Sequence, residues 1–253
     1  MNRRWNRQFE NICKAISGHG MQRNSRGLVL FIILLFSTGC SITSDGWNAQ
    51  GVQAFQNGDH RGAVQKFQYA LNADSTNSDS FYNLGRVYHE IGKKNGDDAF
   101  LLEAETLYNR CLDLSADHVD CHRGLAVLLV DTGRKQEAFA LLNNWAKDRP
   151  SMSQPRVELA RLYEEQGDLQ TARLHLESAV KLNANNARAH TALAALSERQ
   201  GDVRTAYAAY QKSLMVNPNQ PNVGKRLALV RQSLGESAGN TRIADESVSR
   251  GRY

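Results

Sequence analysis

Five times along this chain the same spacing of small and large residues returns, and no other feature limits its fold so tightly. Measured from Ala160, Gly167 lies seven residues on, Ala172 twelve, Leu176 sixteen, Ala179 nineteen and Ala184 twenty-four. The same intervals from Gly51 meet Gly58, Ala63, Phe67, Ala70 and Ser75. From Ala126 they meet Gly133, Ala138, Leu142, Trp145 and Pro150, and from Ala194 they meet Gly201, Ala206, Tyr210, Ser213 and Pro218. The remaining copy opens on Gly85 and Gly92, slips by seven residues, and resumes at Ala104, Tyr108, Cys111 and Ala116. Small residues recur where two backbones must approach, large ones where the gap must be filled. Within residues 153–186, Leu159, Ala160, Leu162 and Tyr163 mark one apolar helical face, and Ala172, Leu176, Ala179 and Val180 a second. Gly167-Asp168 is the break between them. Neither helix can hide its face alone, so the unit needs neighbours of its own kind.

A 34-residue period with this pattern resembles the tetratricopeptide repeat, a helix-turn-helix unit that stacks into a solenoid. Trp47, Leu84-Gly85 with Tyr88, and the pair Ala63 and Phe67 carry its signature letters. The resemblance covers Ser44 to Gly235 and implies an all-α, right-handed superhelical solenoid over residues 47–235. Its repeats fall at about 44–77, 78–118, 119–152, 153–186 and 187–220, followed by a capping helix over 221–234. Pro221 suits the first position of that cap, where its missing N–H costs nothing, and Lys225, Arg226, Arg231 and Gln232 supply its polar face. In the slipped repeat, Lys93–Ala99 is expected to extend the turn, with Asp97 or Asp98 capping a helix that starts at Ala99. Residues 236–253 lack helical periodicity and read as a disordered tail.

Charge is unevenly placed. Six of the 31 Lys/Arg and one of the 26 Asp/Glu precede Cys40, so 25 of each remain and the body is neutral. A nucleic-acid binder that works by counterion release needs a net basic surface, so nucleic acid is not expected as a partner. Residues 1–39 read as a secretory signal: basic residues up to Arg26, the apolar run Leu28–Phe36, then Ser37-Thr38-Gly39. The run is too short to span a bilayer, which takes about 20 apolar residues. Met21 opens an already complete signal and is a candidate start. Gly39-Cys40 resembles the lipobox of bacterial lipoproteins, with Ser37 departing from the leucine that family favours. The resemblance implies cleavage before Cys40, lipid on its thiol and new amino group, and a short anchored linker over 40–46. Ser41 stands where Asp would imply inner-membrane retention, so the implied address is the periplasmic face of an outer membrane. Multiple acyl chains, at about 0.8 kcal/mol per buried CH₂, make such an anchor effectively permanent.

Residues with the chemistry of catalysis are few. Asp117-His118-Val119-Asp120-Cys121-His122 is the one cluster of metal-ligand types, but its spacing matches no closed zinc pattern. His122 and His190 also occupy the same place in repeats three and five, which argues for packing. No metal site is expected, and no cofactor beyond the lipid on Cys40. Cys111 and Cys121 form a disulfide candidate in an exported chain. Two independent core thiols fit the sequence as well. There is no nucleophile elbow, Walker loop or HExxH motif, so no catalytic residue is assigned and a metal-dependent enzyme is the least favoured class.

The inner surface of the solenoid remains. In repeats of this resemblance the exposed side of each first helix lines it. Projected onto this chain, that side carries Phe55, then Tyr82, Asn83, Arg86 and His89, then Arg123 and Val127. Glu158, Arg161, Glu164, Arg188 and Arg199 continue it. The family's carboxylate clamp is not reproduced, because Asn83 stands without its lysines. The expectation is a non-catalytic scaffold that takes protein or peptide segments of the cell envelope, with the membrane met through the lipid and no small-molecule substrate. Lipoproteins of this kind include pilus and secretion-system assembly factors, and adaptors for envelope proteases or peptidoglycan enzymes.

Overall fold

The computed structural model describes residues 43–250, with side chains as far as Gly235. The signal over 1–39, the candidate start Met21, the lipidation site Cys40 and residues 251–253 lie outside the described residues. Among the described residues there are eleven α-helices and no strand. They form five antiparallel pairs: α1 (Ser44–Gln56) with α2 (His60–Ala73), α3 (Ser78–Asn95) with α4 (Asp98–Leu114), and α5 (Val119–Asp131) with α6 (Lys135–Asp148). The series continues with α7 (Gln154–Glu165) and α8 (Leu169–Leu182), then α9 (Ala187–Arg199) and α10 (Val203–Val216), and closes with α11 (Pro221–Arg250). No described helix is long and apolar enough to cross a membrane.

The turn inside each pair is built from two residue types. Gly167 adopts φ +83°, which any Cβ would resist, and this lets the chain reverse. Asp168 follows and caps α8, its carboxylate accepting from the Thr171 N–H at 3.0 Å. Asp59 and Asp202 do the same for α2 and α10. Arg134 holds that place before α6 and makes no cap; its guanidinium instead bridges Glu105 and Glu137. The first helices α3, α5 and α9 are capped by Asn77, His118 and Asn186, whereas Ser153 makes no side-chain cap for α7.

Every second-helix residue on the 34-residue grid is inside. Ala63, Phe67 and Ala70, and their counterparts in the other repeats through Ala206, Tyr210 and Ser213, are at most 4% exposed. Neighbouring first helices also touch, α1 to α3, α3 to α5, α5 to α7 and α7 to α9. First helices therefore form the inner wall and second helices the outer one. Trp145 takes the grid position that is small elsewhere, and its ring stacks on His122 with centroids 4.0 Å apart and planes 9° apart. At the other end, Trp47 meets Tyr69 edge-on at 5.1 Å and carries Lys66 over its face at 4.6 Å.

Three expectations are corrected. The seven-residue slip is helix rather than extended turn. α3 has 18 residues against 13 in α1, and α4 has 17 against 14 in α2. Gly92 is therefore helical and buried, with its α-carbon face against Leu101, and the chain reverses four residues later at Gly96, φ +65°. Asp97 does cap α4, through the Ala99 N–H at 2.9 Å, but the helix opens at Asp98. Second, α1 begins at Ser44, capped by the Thr43 hydroxyl, so the linker expected over 40–46 is shorter at its far end. Third, α11 does not stop at Leu234 but continues to Arg250. No proline follows Pro221 to halt it, and isolated glycines such as Gly235 cost only about 1 kcal/mol each in a helix. Val223, Leu227 and Val230 seat its first turns on α10, while Lys225, Arg226, Arg231 and Gln232 face outward, as a cap requires.

Candidate peptide-binding groove

Along the inner wall the polar side chains divide into a self-matched half and an open half. The matched half centres on Glu158 of α7, which the sequence places in the groove as a ligand contact. The structure corrects that: Glu158 is 0% exposed. Arg123 on the preceding first helix reaches it, Nε to Oε1 3.0 Å, and Arg188 on the following one, Nη2 to Oε1 2.8 Å. Arg161, one turn along α7, brings its Nε to 3.6 Å from Oε2. Burial pushes the Glu158 carboxyl up, against the pull of Arg123 and then Arg161. Position 158 lies where three first helices converge, so any side chain there is covered, and only converging guanidiniums make a carboxylate tolerable. Arg161 also pairs with Glu165, Arg199 with Glu164, and Arg226 of α11 with Glu198 at 2.7 Å. Arg161, Glu164, Arg188 and Arg199 thus face the groove but are engaged by charged partners within this chain.

The open half lies over repeats one to three, where Tyr82, Arg86, Arg123 and Val127 line a cavity of about 310 Å³ together with Phe55 and His89. Six of the expected groove residues are thus brought together. Asn83 is not among them: it is 9% exposed and donates to Asn48 Oδ1 at 3.1 Å. Arg86 lies over the Phe55 ring at 4.8 Å and the Tyr82 ring at 5.6 Å. Guanidinium on an aromatic face is attracted by the ring quadrupole, and its N–H edges stay free for a ligand. At the far rim Lys93 holds both Asp131 oxygens, at 2.8 and 2.9 Å, and His89 Nε2 meets Oδ2 at 3.2 Å. Burial keeps His89 below its ordinary value despite Asp131, so it is neutral at pH 7.

Sequence reasoning missed several lining residues, among them Glu90, Lys93, Gly124 and Asp131, and the most deeply placed of them is Tyr108. It sits on a second helix, at the large-residue position of the grid, and is 1% exposed. Its ring passes beneath α3 and α5 because both present glycine there. A Cβ on Gly85 would lie 3.0 Å from the ring, and one on Gly124 2.8 Å. Tyr108 thereby lines the cavity from below, and burial pushes its pKa well above that of an ordinary tyrosine, so its phenol stays a neutral donor. Gly124, in mid-helix and between Arg123 and Leu125, is the available signal: glycine there loses about 1 kcal/mol against alanine unless packing demands it.

The remaining candidates take structural places. Cys111 and Cys121 are joined in a disulfide, Cα to Cα 6.4 Å, tying the end of α4 to the start of α5. Both are fully buried. The donor atoms of Cys111, His118 and Cys121 lie within 4.8 Å of one another. His118 Nδ1, however, accepts from the Cys121 N–H at 3.2 Å, and its Nε2 meets Asp79 Oδ1 at 2.8 Å. His122 and His190 each donate Nε2–H to a carbonyl six residues back, Ala116 and Ala184, both at 2.9 Å. Their shared register is a shared turn-closing bond.

Residues 157–222 match the family model of the tetratricopeptide repeat. Among solved structures, TTC0263, a thermophilic TPR protein of Thermus thermophilus, is similar with TM-score 0.57 and 19% identity, over 75% of this chain and all of that one. PilW, a widely conserved type IV pilus biogenesis factor, is similar with TM-score 0.52 and 16% identity, over 82% of this chain and 91% of that one. No curated protein sequence matches the chain. The fold is that of a tetratricopeptide-repeat solenoid, as the 34-residue period implied.

Proposed function

We propose that the protein is a lipid-anchored scaffold of the outer membrane's periplasmic face, which holds segments of partner proteins in its groove. Its work is to help assemble an envelope machine such as a pilus or secretion system. Tetratricopeptide domains bind protein or peptide partners and are generally non-catalytic. The observation that carries the reading is the cavity over repeats one to three, where the guanidinium of the exposed Arg86 lies over two aromatic rings. An aromatic-walled site of this kind suits a side chain of a protein segment, with backbone and flanking residues running along the first helices. The leader supports the address, since Gly39-Cys40 follows a signal-like apolar run. The process is supported by fold likeness to PilW, a pilus biogenesis factor.

Two measurements test this. A photo-crosslinking residue at Val127, inside the cavity, should capture an envelope protein in intact cells, and one at Lys147, exposed on the outer helix of the same repeat, should not. Equal capture at both places would refute a groove function. Cys40→Ala should release the protein from membranes. Retention of an uncleaved, membrane-bound chain would sink the lipoprotein assignment while leaving the groove untouched.

A further inference from the structure

Repeats two and four carry an arginine at the same register, Arg86 and Arg161, and the chain treats them oppositely. Arg161 is met by Glu158 three residues earlier and by Glu165 four residues later. The corresponding neighbours of Arg86 are Asn83 and Glu90. Asn83 is turned to Asn48, and Glu90 to His60, with Nε2 to Oε1 3.4 Å. The other acid of the cavity, Asp131, is engaged by Lys93 and His89. Among the described residues no carboxylate lies within ion-pair distance of Arg86. Nearby, Tyr108 is 1% exposed, yet it lines the same cavity, and its hydroxyl has no hydrogen-bond partner among the described residues. One exposed cation without a counter-charge and one neutral donor without an acceptor share one aromatic-walled space.

We propose that this cavity takes a side-chain carboxylate from an extended acidic segment of the partner protein, gripped by Arg86 and Tyr108, with an aromatic or aliphatic neighbour seated against Phe55 and Tyr82. The inference rests on the groove reading above and names what the groove selects. A guanidinium held on a ring face keeps its planar fork of donors, which matches a carboxylate better than any neutral group. A basic side chain would instead meet the unpaired charge of Arg86 at close range, since Arg123 and Lys93 are already held by Glu158 and Asp131. Repeat four shows the same arginine register satisfied by acids of this chain. Repeat two leaves that part to the partner.

The test is selection of random decapeptides, displayed between fixed flanks so that no terminus is free, on the full-length protein in detergent. Enriched sequences should carry Asp or Glu beside an aromatic or aliphatic residue. As amidated synthetic peptides they should lose about tenfold or more in affinity when that acid is changed to its amide, and as much on Arg86→Gln. Arg86 supports no buried acid, so the variant should melt within about 3 °C of the parent, and Tyr108→Phe offers a second, milder loss. Enriched peptides without acids, or acidic peptides that bind Arg86→Gln as well as the parent, would overturn the inference and leave the groove reading standing. So would a separate arm in which only peptides ending in a free α-carboxylate bind. No enrichment from any library would overturn both.

Discussion

Arg123 and Glu158 stand on first helices of successive repeats, yet the arginine Nε lies 3.0 Å from a carboxylate that solvent does not reach. A buried carboxylate persists only while its counter-charges converge. Glu158→Ala should therefore lower stability by about 2 kcal/mol, less than the usual 3–5 because Arg161 and Arg188 keep partial contact with water. Arg161→Glu should cost at least as much, since it sets a second carboxylate against the first. Denaturant melts of both variants check this. An Arg161→Glu protein as stable as the parent would show that the arginine is a surface group, as its sequence position alone implies.

Gly124→Ala offers a sharper contrast. Alanine is the better helix former by about 1 kcal/mol, but its Cβ would lie 2.8 Å from the Tyr108 ring. We expect a net loss of about 1–3 kcal/mol from overpacking. Gly224→Ala, with nothing within 4 Å of the new Cβ, should gain about 0.5–1 kcal/mol. Thermal melts of the two variants should move in opposite directions.

The Cys111–Cys121 bridge closes a segment with a sequence separation of 10. Chain entropy assigns such a loop about 2.5 kcal/mol. Reduction, or the double change to serine, should lower the melting temperature accordingly. Thiol counting on the unreduced soluble body should find neither cysteine titratable, and two free thiols would disprove the bridge.

Acid should weaken the fold. His89, His122 and His175 are each held below the ordinary histidine value, chiefly by burial. The unfolded chain takes up these protons near pH 6.5, and the folded chain resists them. Their contribution is complete above about pH 6.5 and is lost as pH falls towards the folded values. The melting temperature should be lower at about pH 5.5 than at about pH 7.5, and replacing His122 and His175 with glutamine should narrow the gap. A gap that does not narrow would assign the acid sensitivity to other groups.

What can be read from the sequence is whatever repeats. Ala172, Leu176 and Ala179 are buried because five copies share one packing problem, and Tyr82, Arg86 and Val127 face the cavity because their register does. What cannot be read depends on contacts between repeats. Glu158 looks like a surface acid until Arg123 and Arg188, 35 residues before and 30 after, are folded onto it. Gly92 falls on the grid as a turn glycine, but in a lengthened repeat the Asn95-Gly96 pair reverses the chain and Gly92 becomes a contact for Leu101. Tyr108 reads as wholly core because nothing local says that a ring can pass beneath two glycines.

The bridge between Cys111 and Cys121 has a mechanical meaning. A stack of repeats comes apart at its weakest seam, and the seam between repeats two and three is fastened by a covalent bond. That seam is also where Tyr108 from one side and Arg123 and Gly124 from the other enclose the cavity. Under load from a captured partner, the unfastened seams should yield first, while Arg86 and Tyr108 on one side and Arg123 and Val127 on the other stay stapled together.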